Sequence, residues 1–413
     1  MKPIKIRFPD AGNYSREELE LNPEKAQHIL ENAKGMTPMC LCTQQGVPMY
    51  IAFRHTYYLA RCPNTGPVHA PYCPSYEPDP SLSGRGIYSK KAVVERPDGL
   101  VSVKLSVALN MRSTENTLDP VPQASSPTNG LRREKKDSLK LTGLLHLLWE
   151  QAQFNRWSPK MKGRRHYRQI YKFLYEAADG IFVQRKRLID HLYIPEPYIK
   201  EQSLEIERRR GALFRKLTHT AKNEPKRMIV IGQVKSFATG ELGYAIRLAH
   251  TPPSLLFWFD DRLFNRLKKT IDFAVEDIHD LNEDLKIFVA LTVEHTKERA
   301  WVASELGALV TTADYIPVIS FDEDELARRL IESNRLFYKP MGYDDPKTCY
   351  PNFLVTDAGD KVLPLEIFGQ NDSEMANASR NDRITEYVTE KDPYWFWDVK
   401  TSQFPPKIKP QSN

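Results

Sequence analysis

The sequence predicts an α+β protein assembled from several modules. Short strand-like runs rich in apolar residues lie at 49–53, 57–59, 228–234, 244–248, 285–293 and 301–310, and apolar and polar residues alternate most clearly at 100–109. Apolar residues recur every three to four positions at 141–154 and 167–174, which predicts amphipathic helices. Because the chain has 413 residues, of which 41% are hydrophobic, it can form two or three hydrophobic cores.

Changes in composition along the chain predict where these modules begin and end. Prolines and serines crowd into 113–137 with few apolar residues, which indicates a linker. We expect a Cys-rich, strand-rich module (1–112), this linker (113–137), a basic helical module (138–225), an antiparallel α+β domain (226–321), an αβββαβ domain (322–401) and a tail (402–413).

The N-terminal module carries a cluster of candidate metal ligands around a predicted hairpin. These are Cys40, Cys42, Cys62, His69 and Cys73. Ligands before and after a hairpin can converge on one tetrahedral ion, as in zinc-ribbon-like modules, and Zn²⁺ prefers thiolate and imidazole. We therefore predict a structural zinc site and leave open which four of the five bind it. The alternative is a group of reduced, partly buried cysteines.

Positive charge is concentrated in the middle of the chain. Residues 132–227 contain 24 Lys or Arg and 11 Asp or Glu, whereas the whole chain has a net charge of only +6. Such a segment is a candidate for binding nucleic acid, because each cation that reaches a phosphate releases counterions, and aromatic rings among the cations can stack on unpaired bases. The residues predicted to make these contacts are Arg156, Trp157, Lys160, Lys162, Arg164, Arg165 and Arg168. The two helical stripes, with a third helix expected at 183–191, are compatible with a helix-turn-helix.

The C-terminal pattern predicts a helix, three strands, a helix and a final strand. This order resembles the PD-(D/E)xK core of restriction-type nucleases, in which two acids hold a divalent metal and a lysine orients the attacking water. By this resemblance Pro351 matches the proline, Glu366 matches the second acid, and Glu332 or Glu325 matches an additional helix acid.

Two positions depart from the nuclease pattern. Asn352 stands where the family has aspartate, and Phe368 stands where it has lysine. Asparagine brings no charge to a metal and phenylalanine cannot orient water. Asp357 could supply the missing carboxylate, with Mg²⁺ as the metal. We therefore expect this restriction-endonuclease-like domain to be inactive.

A second resemblance covers nearly the whole chain. The stretches at 42–52, 63–66 and 73–78, the His-Ala-Pro motif at 69–71 and the segments at 145–157 and 364–369 resemble a bacterial family of unknown function. Members of that family are carried on plasmids and integrative conjugative elements. The resemblance implies a mobile-element setting and names no reaction.

Together these features predict a nucleic-acid-associated protein of a bacterial mobile element with a DNA-binding or assembly role. The alternative is a metal-dependent DNA phosphodiesterase that uses Glu366 with Asn352 or Asp357. Expected partners are DNA, including single strands, or RNA, and other mobile-element proteins. The sequence has no run of about 18 apolar residues and no secretory signal pattern, so we expect a cytoplasmic protein without a membrane span. The oligomeric state stays open.

Overall fold

The computed structural model describes residues 3–53, 56–96, 98–107, 135–218, 227–277, 280–296, 300–345, 350–369, 374–405 and 407–408. Within these ranges the chain forms eight α-helices and several sheets, so the predicted mixed α+β class is confirmed. Most of the predicted linker, residues 113–134, lies outside the described residues. None of the helices that the structure describes combines the length and the hydropathy needed to cross a bilayer.

The N-terminal part contains a five-stranded antiparallel sheet. Its elements are β1 (Lys5–Phe8), β2 (Gly12–Ser15), α1 (Arg16–Leu21), α2 (Pro23–Asn32), β3 (Met39–Cys40), β4 (Val47–Phe53), β5 (Tyr57–Arg61), β6 (Val93–Glu95) and β7 (Val101–Val103). The sheet has the strand order β2-β1-β3-β4-β5. Ser15 caps the start of α1 with a capping box. The Glu18 backbone amide donates to the Ser15 hydroxyl, and the Ser15 backbone amide donates to the Glu18 carboxylate.

The middle segment places one helix in the largest core. Its elements are α3 (Leu141–Gln151), β8 (Arg156–Trp157), α4 (Tyr167–Asp179), β9 (Ile181–Val183), β10 (Lys186–Arg187), β11 (Leu192–Tyr193) and α5 (Ser203–Thr218). Eight residues of α3 are buried, and the core around it includes side chains from Tyr88 to Tyr343. Several of the predicted modules therefore share one hydrophobic core.

The third helix expected at 183–191 is wrong. Gln184 and Arg185 both have positive φ angles, 48° and 68°, which is the backbone of a two-residue hairpin turn. This turn joins β9 to β10, and Leu188–His191 then forms one 3-10 turn. These residues accordingly do not supply the third helix of a helix-turn-helix.

The next segment folds into a ring of strands. Its elements are β12 (Met228–Gly240), β13 (Gly243–Leu248), β14 (Phe257–Phe259), α6 (Asp261–Ile271), β15 (Val275–Asp277), β16 (Asp280–Leu281), β17 (Lys286–His295), β18 (Trp301–Thr311) and β19 (Pro317–Val318). The pairings run β12-β13-β14-β18-β17 and return to β12. The expectation of a purely antiparallel sheet is wrong, because β14 pairs with β18, and β11 with β12, in parallel.

The C-terminal part forms a five-stranded mixed sheet. Its elements are α7 (Phe321–Glu332), β20 (Phe337–Tyr338), β21 (Phe353–Val355), β22 (Leu363–Phe368), α8 (Glu374–Glu390) and β23 (Trp395–Asp398). Strands β20, β21 and β22 are antiparallel neighbours, whereas β23 is parallel to β22. Strand β8 joins the other edge beside β20, so the middle segment contributes to this sheet.

Candidate metal centre and predicted nucleic-acid-associated residues

Four of the five predicted ligands meet in the N-terminal core. Cys40 ends β3, Cys42 lies in the following turn, and His69 and Cys73 lie in the loop after a 3-10 turn. Their candidate ligand atoms all lie within 4.8 Å of one another, and all four residues are buried. The loop that follows the β4–β5 hairpin therefore returns to β3, where its His69 and Cys73 complete a Cys₃His cluster with Cys40 and Cys42.

The distances in this cluster suit a tetrahedral metal. Zinc bonds of about 2.3 Å to sulfur and 2.0–2.1 Å to nitrogen place tetrahedral ligands about 3.6–3.8 Å apart. The Sγ atoms of Cys40 and Cys73 are 3.7 Å apart, and His69 Nδ1 lies 3.3 Å from Cys42 Sγ and 3.7 Å from Cys73 Sγ. The cluster could hold a metal ion such as zinc.

Backbone amides support two of the thiols. The Ala70 amide donates to Cys42 Sγ at 3.5 Å and the Ser75 amide donates to Cys73 Sγ at 3.4 Å. Hydrogen bonds from the Cys40 and Cys73 thiols lower the pKa of Cys42. Such donors favour thiolate, the form of cysteine that binds a metal.

Cys62 lies outside this cluster, although the sequence placed it among the candidates. It follows β5, is only partly buried, and burial raises the pKa of its thiol. The sequence pattern of the β4–β5 hairpin did not reveal that, after β5, the first residue to reach the cluster is His69 and not Cys62. The structure thus selects Cys40, Cys42, His69 and Cys73 from the five.

The predicted second acid of the nuclease pattern is fully buried and paired. Glu366 on β22 is 0% exposed. Arg383 on α8 donates to both of its carboxylate oxygens, from Nε at 2.8 Å and from a terminal nitrogen at 2.7 Å. This two-point pair neutralises the acid and occupies the oxygens that a metal would need.

Asn352 lies beside Glu366 but takes part in a separate hydrogen-bond network. Its amide nitrogen donates to Glu323 Oε1 at 2.8 Å, and its amide oxygen accepts from the Ile367 backbone at 2.8 Å. Lys339 Nζ also lies 2.5 Å from Glu323 Oε1. Asn352 thus joins helix α7 to strand β22 in the buried interior, and Lys339, directly after β20, contacts the same α7 carboxylate.

The helix acid in this network is Glu323, which is neither of the two helix acids, Glu332 and Glu325, that the resemblance suggested. Nine residues separate Glu323 from Glu332, which is two and a half helical turns and therefore the opposite helix face. The Glu332 side chain is 67% exposed, whereas Glu325 pairs with Arg329 at 2.8 Å. The sequence offered a signal for Glu323, because it lies in the acidic first turn of α7.

Asp357 is used by a turn. One carboxylate oxygen accepts from Arg335 Nε at 2.9 Å and the other from the Leu336 amide at 3.0 Å. Both oxygens thus hold the start of β20 against the end of β21. The prediction that Asp357 replaces the missing aspartate has no support in these contacts.

Three of the seven residues predicted to contact nucleic acid point into the protein. Trp157 is 3% exposed in the core of the C-terminal sheet. Arg156 donates to the carbonyl oxygens of Pro74 at 2.7 Å and Cys73 at 3.3 Å, which joins β8 to the metal-cluster loop. Burial lowers the pKa of Arg156. A ring this deeply buried has no face open to a base, so this structure gives the prediction for Trp157 no support.

Arg165 also serves the fold. Its guanidinium donates to the carbonyls of Phe154, at 2.9 Å, and Asp314, at 3.2 Å, and also to those of Gln153 and Arg156. Burial lowers the pKa of Arg165 to about 9. A count of charges along the sequence cannot tell such a cation from a solvated one.

The other four predicted nucleic-acid contacts face solvent. Lys160, Lys162, Arg164 and Arg168 are exposed around the start of α4. Lys160 forms an ion pair with Glu17 of α1. The described ion pairs include none for Lys162, Arg164 or Arg168, so these three remain available to an anionic partner.

A cavity of about 580 Å³ lies beside the core that contains α3. Its wall includes Glu150, which accepts from the Tyr343 hydroxyl. Burial raises the pKa of Glu150 to about 7. Arg61 and Arg85 also line the cavity, and both pair with Glu95. Sequence reasoning missed this group, because Glu150 reads as one residue of an amphipathic helix.

The chain matches a family model described as "Protein of unknown function (DUF1173)" over residues 14–400. It therefore belongs to this family. No curated protein and no solved structure matches the chain.

Proposed function

We propose that the protein is a nucleic-acid-associated protein of a bacterial mobile element, with a DNA-binding or assembly role and a nuclease-like C-terminal domain that does not cut. The observation that carries the proposal is the Arg383–Glu366 pair. A carboxylate that is 0% exposed and paired at both oxygens with a guanidinium is neutralised and closed to solvent, so Mg²⁺ could bind it only if Arg383 moved away. Phe368, two residues further along β22, cannot orient a water.

The connectivity of the C-terminal sheet supports a nuclease-like ancestry. Three antiparallel strands follow helix α7, and a fourth strand, parallel to the third, follows helix α8. This order is similar to that of the PD-(D/E)xK core, which supports the proposal. Asn352, directly before β21, and Glu366 on β22 are the residues that the resemblance matches to its two acids, and here they are hydrogen-bonded to Glu323 and Arg383.

The Cys₃His cluster supports a structural zinc in this proposal. All four positions are filled by protein side chains, which is typical of a structural site, whereas a catalytic zinc keeps one position open. Arg156 donates to the Cys73 carbonyl, so the metal loop and the C-terminal sheet support each other. A zinc ion bound there would hold β3, its following turn and the loop of His69 and Cys73 together.

Contact with nucleic acid is supported by the exposed cations around α4. Lys162, Arg164 and Arg168 lie within seven residues of one another and face solvent. Each contact to a phosphate would contribute through counterion release. A cytoplasmic location and other mobile-element proteins as partners belong to the same proposal.

The second candidate is a metal-dependent DNA phosphodiesterase. It is favoured by the proximity of Asn352, Glu323 and Lys339, which together supply an amide oxygen, a carboxylate and an ammonium group next to β22. For Glu366 to bind Mg²⁺, Arg383 would have to leave it. That step exposes a buried carboxylate and is costly.

Incubation of the purified protein with labelled single-stranded and duplex DNA, in Mg²⁺ or Mn²⁺, tests the choice. We expect binding in gel-shift assays and no cleavage by wild type. Because Glu366→Ala would leave Arg383 without its buried partner, the comparison uses the double variant Glu366→Leu with Arg383→Met, which should also bind and not cut. The exposed Glu332→Ala variant is the control. Cleavage by wild type that the folded double variant loses and Glu332→Ala retains would establish the phosphodiesterase.

A further inference from the structure

The ring of strands between Met228 and Thr311 has a recognisable topology. Strands β12, β13 and β14 are antiparallel neighbours, β17 pairs antiparallel with β12, and β18 lies parallel to β14. Helix α6 falls between the third and fourth strands of the ring, and three of its side chains are buried in the barrel core. A five-stranded barrel in the order 1-2-3-5-4, with a helix between strands 3 and 4, is the oligonucleotide/oligosaccharide-binding (OB) fold.

One side of this barrel is already covered. Phe288 and Ala290 of β17, Leu309 of β18 and Ile229 of β12 belong to the core that surrounds α3. The N-terminal end of α3 lies so close to β18 that a Cβ at Gly307 would be 2.5 Å from the Thr142 amide nitrogen. These walls are packed against protein and cannot receive a ligand.

The opposite wall consists of the C-terminal half of β12 with β13 and β14. On its outer side Lys235 is exposed and Ala238, Arg247 and Trp258 are partly exposed, whereas Ala245 is 0% exposed. We call this wall the barrel face. In OB folds the second and third strands form the ligand-binding surface. The barrel face contains these two strands.

Charge on the barrel face is of one sign. The three strands β12, β13 and β14 contain Lys235 and Arg247 and no acidic residue. Lys235 is exposed, at a bulge opposite Arg247. The Arg247 Nε is buried with no hydrogen-bond partner among the residues that the structure describes. The two side chains therefore bring positive charge to the barrel face that no acidic residue of these three strands neutralises.

An aromatic ring completes the barrel face. Trp258 is partly exposed in the middle of β14, next to Ala245. A Cβ at Gly240 would lie 2.8 Å from Trp258 Cη2, so the indole lies close against the glycine backbone of β12. Small residues beside the ring leave it room to lie along the barrel, with surface left for a base to stack on.

We propose that single-stranded nucleic acid binds across the barrel face, with a base stacked on Trp258 and phosphates at Lys235 and Arg247. This inference rests on the proposed function and deepens it by naming the surface and the form of the nucleic acid. Unpaired bases are needed, because a paired base in a duplex does not offer its flat face to a side chain. The residues of the barrel face are distinct from the exposed cations around α4.

Fluorescence anisotropy of the full chain with a labelled 20-nucleotide oligo-dT, and with an abasic oligomer of the same length, tests the inference. Trp258→Ala should weaken oligo-dT binding by about tenfold or more and leave the abasic oligomer unchanged, because that oligomer has phosphates and no bases. Trp258→Phe keeps an aromatic ring, so its affinity for oligo-dT should lie between those of wild type and Trp258→Ala. Arg247→Ala should weaken both oligomers and reduce the salt dependence by about one charge.

Matched control variants are available on other surfaces. Phe396→Ala removes an exposed strand aromatic from β23, and Lys269→Ala removes an exposed cation from α6, and neither should change binding. Crosslinking of an iodouracil oligomer to the wild-type protein, followed by peptide mapping, requires no variant to fold, and the crosslink should fall within residues 228–259.

The outcomes separate the two proposals. If wild type binds DNA but the Trp258 variants bind equally well, or all crosslinks fall outside residues 228–259, the barrel face is not the site, while the proposed function stands. If wild type binds no nucleic acid, both proposals are overturned.

Discussion

Removal of Arg383 should destabilise the protein because it leaves Glu366 as an unpaired charge in the interior. The Glu366 side chain is 0% exposed and that of Arg383 is 15% exposed. Breaking a buried pair from one side costs about 3–5 kcal/mol, a large part of the roughly 5–15 kcal/mol that stabilises a typical domain. We therefore expect the Arg383→Ala variant to unfold at a clearly lower urea concentration, followed by tryptophan fluorescence, since Trp395 and Trp397 lie on the neighbouring strand β23.

A double variant tells a buried charge from lost packing. Replacing both partners, with Glu366→Leu and Arg383→Met, removes the charge together with its partner and should restore stability to about the wild-type level. Arg329→Ala, which breaks an exposed pair with Glu325, should cost no more than about 1 kcal/mol. The reasoning is refuted if Arg383→Ala costs as little as this control, or if the double variant is as unstable as Arg383→Ala.

Three further predictions follow from the same structure. Cys42→Ser should abolish zinc binding, whereas Cys62→Ser should keep about one equivalent of zinc, measured by mass spectrometry of the purified proteins. Equal zinc content in the two variants would contradict the assigned ligand set. Arg165→Ala should lower the free energy of unfolding by about 2 kcal/mol or more, because several backbone carbonyls lose their donor. The control Arg168→Ala should leave the melting temperature unchanged. Equal losses of stability in the two variants would contradict the inward role of Arg165. Because burial raises the pKa of Glu150 from 4.5 to about 7, the folded protein keeps a proton that the unfolded chain releases, so stability falls as the pH rises through this window. Glu150→Gln should remove this loss, and a difference from wild type that stays constant between pH 5 and pH 7 would contradict it.

Local sequence patterns predicted much of the secondary structure for physical reasons that the structure makes visible. Helix α7 begins at Ser320, whose side chain accepts from the Glu323 amide, and has three acids in its first turn. Apolar runs predicted the hairpin of β17 and β18, which pair over ten residues. These signals depend on residues close together in the sequence, so they can be read without the fold.

Contacts between distant residues could not be predicted in this way. Closure of the barrel depends on β12 meeting β17, more than 50 residues later, and no local pattern encodes that pairing. The partner of Glu366 lies on a helix that follows the strand, and nothing in its spacing distinguishes Arg383 from other helical arginines. Likewise, charge density favoured a DNA-binding surface around Arg165, although desolvated carbonyls hold that side chain inside.

The candidate metal centre shows both what the sequence could predict and what it could not. The crowding of Cys40, Cys42, His69 and Cys73 predicted a shared site, because few other roles bring such ligands so close in sequence. The exclusion of Cys62 depends on the path of the chain after β5, which only the folded structure gives.

The main proposal is that this protein binds a nucleic-acid strand without cutting it. The decisive experiment is a titration of wild-type protein into labelled oligo-dT with Mg²⁺ present, repeated from low to high salt. We expect a binding constant that falls linearly with salt on logarithmic axes and an oligomer recovered at full length. An affinity that is absent at low salt or indifferent to salt, or an oligomer recovered in fragments, would contradict the proposal.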